Sequence, residues 1–394
     1  MKKIHKNYKP AYFILLIFVF CCIGSFFYAL ITDRFNGDFL GVKVSLSTVE
    51  LVFNLLLSIL PYILLWKMYK KSKRTQEKRQ VLIPFKFFRV FLVVLIFWNM
   101  LVTKLYGVGV LAAPPYEAPS SIKIIIQIIN RFNPTYGVFI YLFVCNKKDR
   151  FQFVLIALLL ILAYMRAGIG IFLYLFMIYF VKHYDYVIAF IKKRFIILIG
   201  IIIIFPFLVN KLYELRSTLR GQTNDEVVLN ILSGVLMGRM SSFSDSAFIL
   251  QEANYFENKA NNLDPLYFQL QCLGGVFSMD FMPENRPEKM LFQFYYSDLE
   301  DNVAYMAGTN GNLYMSFMKS PFVFLLNLIS IIVLISLTFK CFRKINFKYN
   351  NELAFILLIY VVTSGVANEY AFLLFSIFVY LLLFYFVNTF NKAR

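Results

Sequence analysis

The chain has 394 residues, 60% of them hydrophobic and 46 of them phenylalanine, more apolar surface than a soluble core of this length can bury. Its net charge is +18, but the lysines and arginines gather in short stretches between apolar runs, a membrane asymmetry rather than a nucleic-acid face. Five cysteines (Cys21, Cys22, Cys145, Cys272, Cys341) form neither a disulfide framework nor zinc spacing.

Repeated apolar runs of roughly 17–25 residues predict an all-α polytopic integral membrane protein. Helices are the expected spanning form, because lipid satisfies no backbone N–H or C=O and no barrel-type alternation is present. Span one is expected over 11–31; it is too long for a signal h-region, has no small-x-small cleavage site, and reads as retained. Span two is expected over 44–66, followed by the most basic stretch, Lys67 to Arg89, which suits a cytoplasmic face against anionic lipid. Span three, over 87–103, leads to an outer loop with Pro114, Pro115 and Pro119.

Span four, over 122–145, carries Gln127, Asn130, Arg131, Asn133 and Pro134 in its outer half. An arginine at membrane depth is costly, so Arg131 faces either a bundle interior with a ligand or the interface by snorkelling. The run 151–181 is too long for one crossing, since a straight helix of that length would reach about 46 Å. A single crossing would also put Lys192, Lys193 and Arg194 outside, against the positive-inside rule. Two helices of about 14 residues, each about 21 Å long and broken at 166–170, keep both basic flanks inside and stop short of the outer surface. Arg166 would then sit in a notch where non-helical backbone must line protein or water. Span seven, over 195–210, ends at Arg216 and Arg220, which share a helix face. Two guanidinium forks on one face suit a diphosphate, and equally suit interfacial snorkelling.

The long polar segment that follows organises the rest. The chain divides into an N-terminal membrane block (1–210), a large outer loop (211–320) and a C-terminal membrane block (321–394). Residues 224–256 read as one or two amphipathic helices. Arg239 falls on their apolar stripe and needs a partner, either Asp245 or an anionic ligand. Residues 261–310 read as loop-rich, with acids and aromatics mixed. Spans eight, nine and ten are expected over 321–339, 352–366 and 371–387. The last two enclose a turn with Glu369, a counter-ion for an arginine or part of a site. The sum is ten membrane segments with both termini cytoplasmic. The cytoplasmic stretches hold only Glu77, Asp149, Asp185 and Glu352 as acids, and both histidines, His5 and His183.

Arg131, Arg166, Arg216, Arg220, Arg239 and Arg286 therefore gather at the outer leaflet, with apolar walls nearby and tyrosines and carboxylates above. That pattern suits an amphiphile with a lipid tail, an anionic head and a glycan. Arginines can hold a diphosphate and stabilise it as it departs. No compact Asp/Glu/His cluster argues for a metal, and no cofactor motif is present. No carboxylate of the loop stands out as a base.

Met165-Arg166-Ala167-Gly168, Gly238-Arg239-Met240-Ser241 and Gly311-Asn312-Leu313-Tyr314, with this layout of spans and one large loop, resemble the O-antigen polymerase (Wzy-type) family of oligosaccharide-repeat-unit polymerases. The resemblance implies a GT-C-like helical glycosyltransferase with a periplasmic loop in the bacterial inner membrane. Its substrate would be an undecaprenyl-diphosphate-linked oligosaccharide, polymerised into O-antigen or capsule without a metal, with membrane lipid around it and a chain-length regulator protein as partner. Arg166 and Arg239 are the positions it assigns to catalysis. Arg131, Arg216, Arg220, Arg286 and Glu369 are assigned to substrate binding on position and chemistry. Two other readings stay open: an O-antigen ligase, disfavoured by the lack of an outer histidine, and a lipid-linked oligosaccharide flippase.

Overall fold

A computed structural model describes residues 8–75, 77, 79–110, 119–146, 148–166, 168, 170–194, 237–277, 281–294 and 306–392. Among them are helices and isolated β-bridges but no strand. We number the helices α1 (Lys9–Thr32), α2 (Thr48–Arg74), α3 (Phe85–Tyr106), α4 (Ser120–Asn130), α5 (Pro134–Val144), α6 (Phe151–Met165), α7 (Gly170–Lys182) and α8 (Tyr184–Lys193). After the helical turn Met237–Arg239 come α9 (Phe243–Gln251), α10 (Ala253–Ala260), α11 (Tyr267–Val276), α12 (Pro287–Gln293), α13 (Gly308–Lys319), α14 (Pro321–Lys344), α15 (Asn350–Ser364) and α16 (Ala367–Lys392).

Among the described residues five helices are long and apolar enough to cross a membrane: α1, α2, α3, α14 and α16. Their outward stripes, such as Val90, Val94, Phe97, Leu101 and Leu105 on α3, remain exposed, as expected of faces that meet lipid. Local sequence fixes their ends. Ser47 and Glu50 close a capping box on α2, whose last turn carries Lys71, Lys73 and Arg74. Gly107 ends α3 in the left-handed conformation, and Ser320 caps α14 ahead of Pro321.

The expected ten spans are not found among the described residues. Span seven (195–210) lies outside them, as do Arg216 and Arg220. Span four is not one helix. Pro134 offers no N–H and forces Asn133 out of helical conformation, so the chain breaks after Asn130 and restarts with the Asn133 side chain capping Thr135. The run 151–181 divides as expected, into α6 and α7 around 166–169. α6 leaves the end of the molecule where Arg89 pairs with Asp149 and rises to Arg166, beside Asn99 and Thr103 near the far end of α3. α7 returns, and Lys182 donates to the carbonyls of Leu142 and Cys145. α8 then turns away by 89°.

The molecule therefore has a basic end and a loop end. Ion pairs Lys73–Glu352, Arg89–Asp149 and Arg343–Glu77 collect at the basic end, with Tyr8 before α1 under the Lys73 ammonium and Asn388 of α16 donating to Leu82. α15 is the central helix, with Leu353 through Ile359 fully buried among α1, α2, α7, α13, α14 and α16. At the loop end its C-terminus, at Thr363 and Gly365, meets the start of α13. Gly365 and Gly308 both have positive φ, and a Cβ on Gly365 would lie 2.1 Å from the Gly308 carbonyl carbon. Glycine at both positions is what lets the two backbones touch.

The segment 237–319 is more helical than expected. α11 and α12 lie inside the stretch read as loop, and α11 packs along α16. Its seat on the frame is polar and close. The Ser241 hydroxyl meets Ser25 Oγ at 2.9 Å, Asn36 donates to Ser25 at 3.0 Å, and Asn54 donates to the Phe243 carbonyl at 3.0 Å. A Cβ on Gly238 would stand 2.2 Å from the Gly37 nitrogen, so residues 237–246 are held by backbone contact against α1, α2 and the loop between them.

Candidate functional site

A cavity of about 480 Å³ opens on the side of the loop end away from that seat. Two discontinuities border it, the α4–α5 break and the turn between α15 and α16, with α7 alongside. Gln127, Asn130 and Arg131 reach it from α4, Asn133, Thr135 and Tyr136 from the break and α5, and Tyr174 from α7. Tyr360 and Val361 come from α15, and Asn368, Glu369 and Phe372 from α16. Gly274, Gly275, Phe277 and Met282 close it from the outer segment. Irregular backbone at membrane depth persists where it lines protein or a wet cavity, and this cavity is where the breaks converge.

Arg131 spans the break. Its Nη1 donates to the Gly275 carbonyl at 2.8 Å and its Nη2 to the Phe277 carbonyl at 2.6 Å, tying α4 to the end of α11. Glu369 accepts from the Ser364 hydroxyl at 2.5 Å. Tyr174 and Tyr360 stand edge to face with ring centres 5.4 Å apart. The side-chain oxygens of Asn130 and Asn368 are buried and meet no donor among the described residues. Buried acceptors in that state normally mark a bound water, ion or ligand.

The other predicted residues lie elsewhere. Arg166 is half-buried at the hairpin turn, outside the cavity lining. Its Nε donates to Thr103 Oγ1 at 3.0 Å and its Nη2 to Asn99 Oδ1 at 2.8 Å, with Gly109 against the guanidinium. No carboxylate pairs with it among the described residues. Arg239 does not take Asp245 as its ion-pair partner. Its Nε and Nη2 both reach Asp38 Oδ1 at 2.7 Å, on the loop between α1 and α2. Asp245 is buried behind this pair, and burial, helped by the Asp38 charge, pushes its carboxyl well above the usual range against the pull of Arg239. Arg286 precedes α12 and points its Nη1 at Met282 Sδ, 3.0 Å away. The structure thus brings Arg131 and Glu369 together and separates them from Arg239.

Sequence reasoning missed Tyr136, Tyr174 and Tyr360, which read as ordinary aromatic residues of apolar runs. The available signal was the phenol itself, since a hydroxyl at membrane depth needs a partner that phenylalanine does not.

No family model, curated protein or solved structure matches the chain.

Proposed function

We propose that this protein is a membrane glycosyltransferase that polymerises oligosaccharide repeat units carried on a polyprenyl diphosphate, working at the periplasmic face of a bacterial inner membrane with both termini in the cytoplasm. The observation that carries the reading is the cavity at the loop end, where a carboxylate, an arginine, three tyrosines and four amide side chains converge from broken helices. Its size lies in the range of small-molecule sites, and its groups suit a polar, hydroxyl-rich substrate presented beside a lipid-facing wall.

Arg166 supports the same reading from the hairpin turn. A cation at that depth, held by neutral oxygens of Asn99 and Thr103 with no carboxylate to neutralise it among the described residues, is suited to an anion such as the diphosphate of a lipid carrier. Positive charge placed there would stabilise the diphosphate as it leaves. The basic end, rich in Lys67, Lys70, Lys71 and Arg74, suits the cytoplasmic surface.

A second reading has an observation of its own. Interrupted helices that meet near a polar cavity are also the architecture of secondary transporters, which would make the protein a carrier of lipid-linked oligosaccharide. One experiment separates the two. A clean deletion strain and its complemented parent are compared by gel electrophoresis of surface polysaccharide. Polymerisation requires the long ladder to collapse to a single attached repeat. Loss of all attached glycan would transfer the assignment to export or ligation, and an unchanged ladder would sink it.

A further inference from the structure

We infer that the loop-end cavity is the acceptor-sugar subsite, not the diphosphate site, and that Glu369 is the base that takes the proton from the attacking hydroxyl. The inference rests on the polymerase reading and deepens it.

The chemistry of the lining decides between sugar and diphosphate. A diphosphate presents ionised oxygens, which only accept hydrogen bonds, and it would share the cavity with the Glu369 carboxylate at a Coulombic cost. Arg131, the one arginine of the lining among the described residues, already gives two N–H groups to the carbonyls of Gly275 and Phe277. The buried oxygens of Asn130 and Asn368 need donors, and phosphate has none to give. A sugar hydroxyl both donates and accepts, so it can meet those oxygens and the amide N–H groups beside them. Tyr136, Tyr174 and Tyr360 add phenol groups and ring faces against which a pyranose ring can lie. The diphosphate of the donor is left to cations outside this cavity, such as Arg166, whose described partners are the neutral oxygens of Thr103 and Asn99.

Glu369 is the only carboxylate in that lining among the described residues. Ser364 donates to its Oε2, which orients the group and leaves Oε1 to receive a proton. In the reaction the acceptor O–H bond breaks and its proton passes to Glu369. The acceptor oxygen forms the new bond to the anomeric carbon of the donor glycan. The bond from that carbon to the diphosphate oxygen breaks, and its electron pair leaves with the diphosphate. A single displacement of this kind inverts the anomeric carbon.

The test complements the deletion strain with wild type, Glu369→Gln or Glu369→Asp, and reads both the polysaccharide ladder and the amount of protein in the membrane. Glutamine keeps the shape and an oxygen that accepts from Ser364, so a merely structural role would survive the change. The expected result is full protein with polymer reduced by about 100-fold or more, the scale of a lost general base, and partial recovery in Glu369→Asp. A full ladder in Glu369→Gln overturns the inference while leaving the polymerase reading intact. A ladder unchanged by the deletion itself overturns the polymerase reading instead, and the inference falls with it. Should Glu369→Gln fail to accumulate, Tyr174→Phe decides. Polymer reduced about tenfold supports a sugar in the cavity, and wild-type polymer rules it out.

Discussion

Two polar regions sit at the same end of this molecule and have opposite character. Where residues 237–246 dock on α1 and α2, serines, asparagines and backbone groups are matched to one another, and glycines at 37 and 238 bring the chains into backbone contact. Across the bundle, at the α4–α5 break, the polar groups are as numerous, but the Asn130 and Asn368 oxygens have no donor among the described residues. A satisfied polar network fixes a structure, whereas an unsatisfied one is stable only if something else completes it. The first region is therefore the joint that seats residues 237–319 on the frame, and the second is the candidate place for a ligand.

The joint is most exposed to attack at Gly238. A Cβ there meets the backbone of Asn36 and Gly37, with contacts down to 2.2 Å, and backbone cannot rotate aside as a side chain can. Gly238→Val is expected to cost about 3 kcal/mol, the upper part of the usual range for overpacking, and to remove most of the protein from the membrane fraction. Normal accumulation and an intact ladder in this variant would show that the joint is not the seat.

Arg239 marks where the two regions were hardest to tell apart. The resemblance to the polymerase family places it in catalysis, yet the structure pairs it with Asp38 in the joint, with Asp38 nearly buried and Arg239 about one-third exposed (32%). Reversing the charge at either position alone should destabilise by about 2 kcal/mol, between the values for surface and buried pairs. The double variant Asp38→Arg/Arg239→Asp should recover most of that stability in a thermal-shift measurement, and the ladder with it. Recovery of protein without recovery of polymer would return Arg239 to the chemistry.

The difference between legible and illegible features follows from range. The α6–α7 hairpin was readable because helix rise and the charge of its flanks are local quantities. Pro134 is equally visible, but Gln127 to Asn133 fit the polar outer half of a single span as well as they fit the end of one helix and the start of another. Helix α11 was read as loop because its packing partner, α16, lies about a hundred residues further on. The Asp38–Arg239 pair spans 201 positions, so spacing on any one helix could not reveal it. The cavity draws its lining from Gln127 to Phe372, which is why only Arg131 and Glu369 among its residues had been assigned a role. Both stood out as charges within apolar sequence.

The smallest expected effect concerns Glu288 of α12. It is buried, Gln271 donates to its Oε2 at 3.0 Å, and its Oε1 and the Gln271 Oε1 are both acceptors without donors among the described residues. Burial raises the carboxyl above its ordinary range, and the Gln271 bond and the Arg286 charge offset only part of that. A raised native value means that the folded state binds the proton more tightly than the unfolded chain. The stability this contributes is complete below the unfolded value of about 4.3 and is lost as pH rises through the native one. Glu288→Gln supplies a neutral side chain with a donor of its own, so it should stabilise the protein at pH 7–8 by about 1 kcal/mol and make no difference near pH 4. Thermal unfolding of the purified protein at the two pH values measures this directly. A gain that is equal at both would mean that burial does not raise the Glu288 carboxyl, and a loss at pH 7 that a partner holds it as a carboxylate.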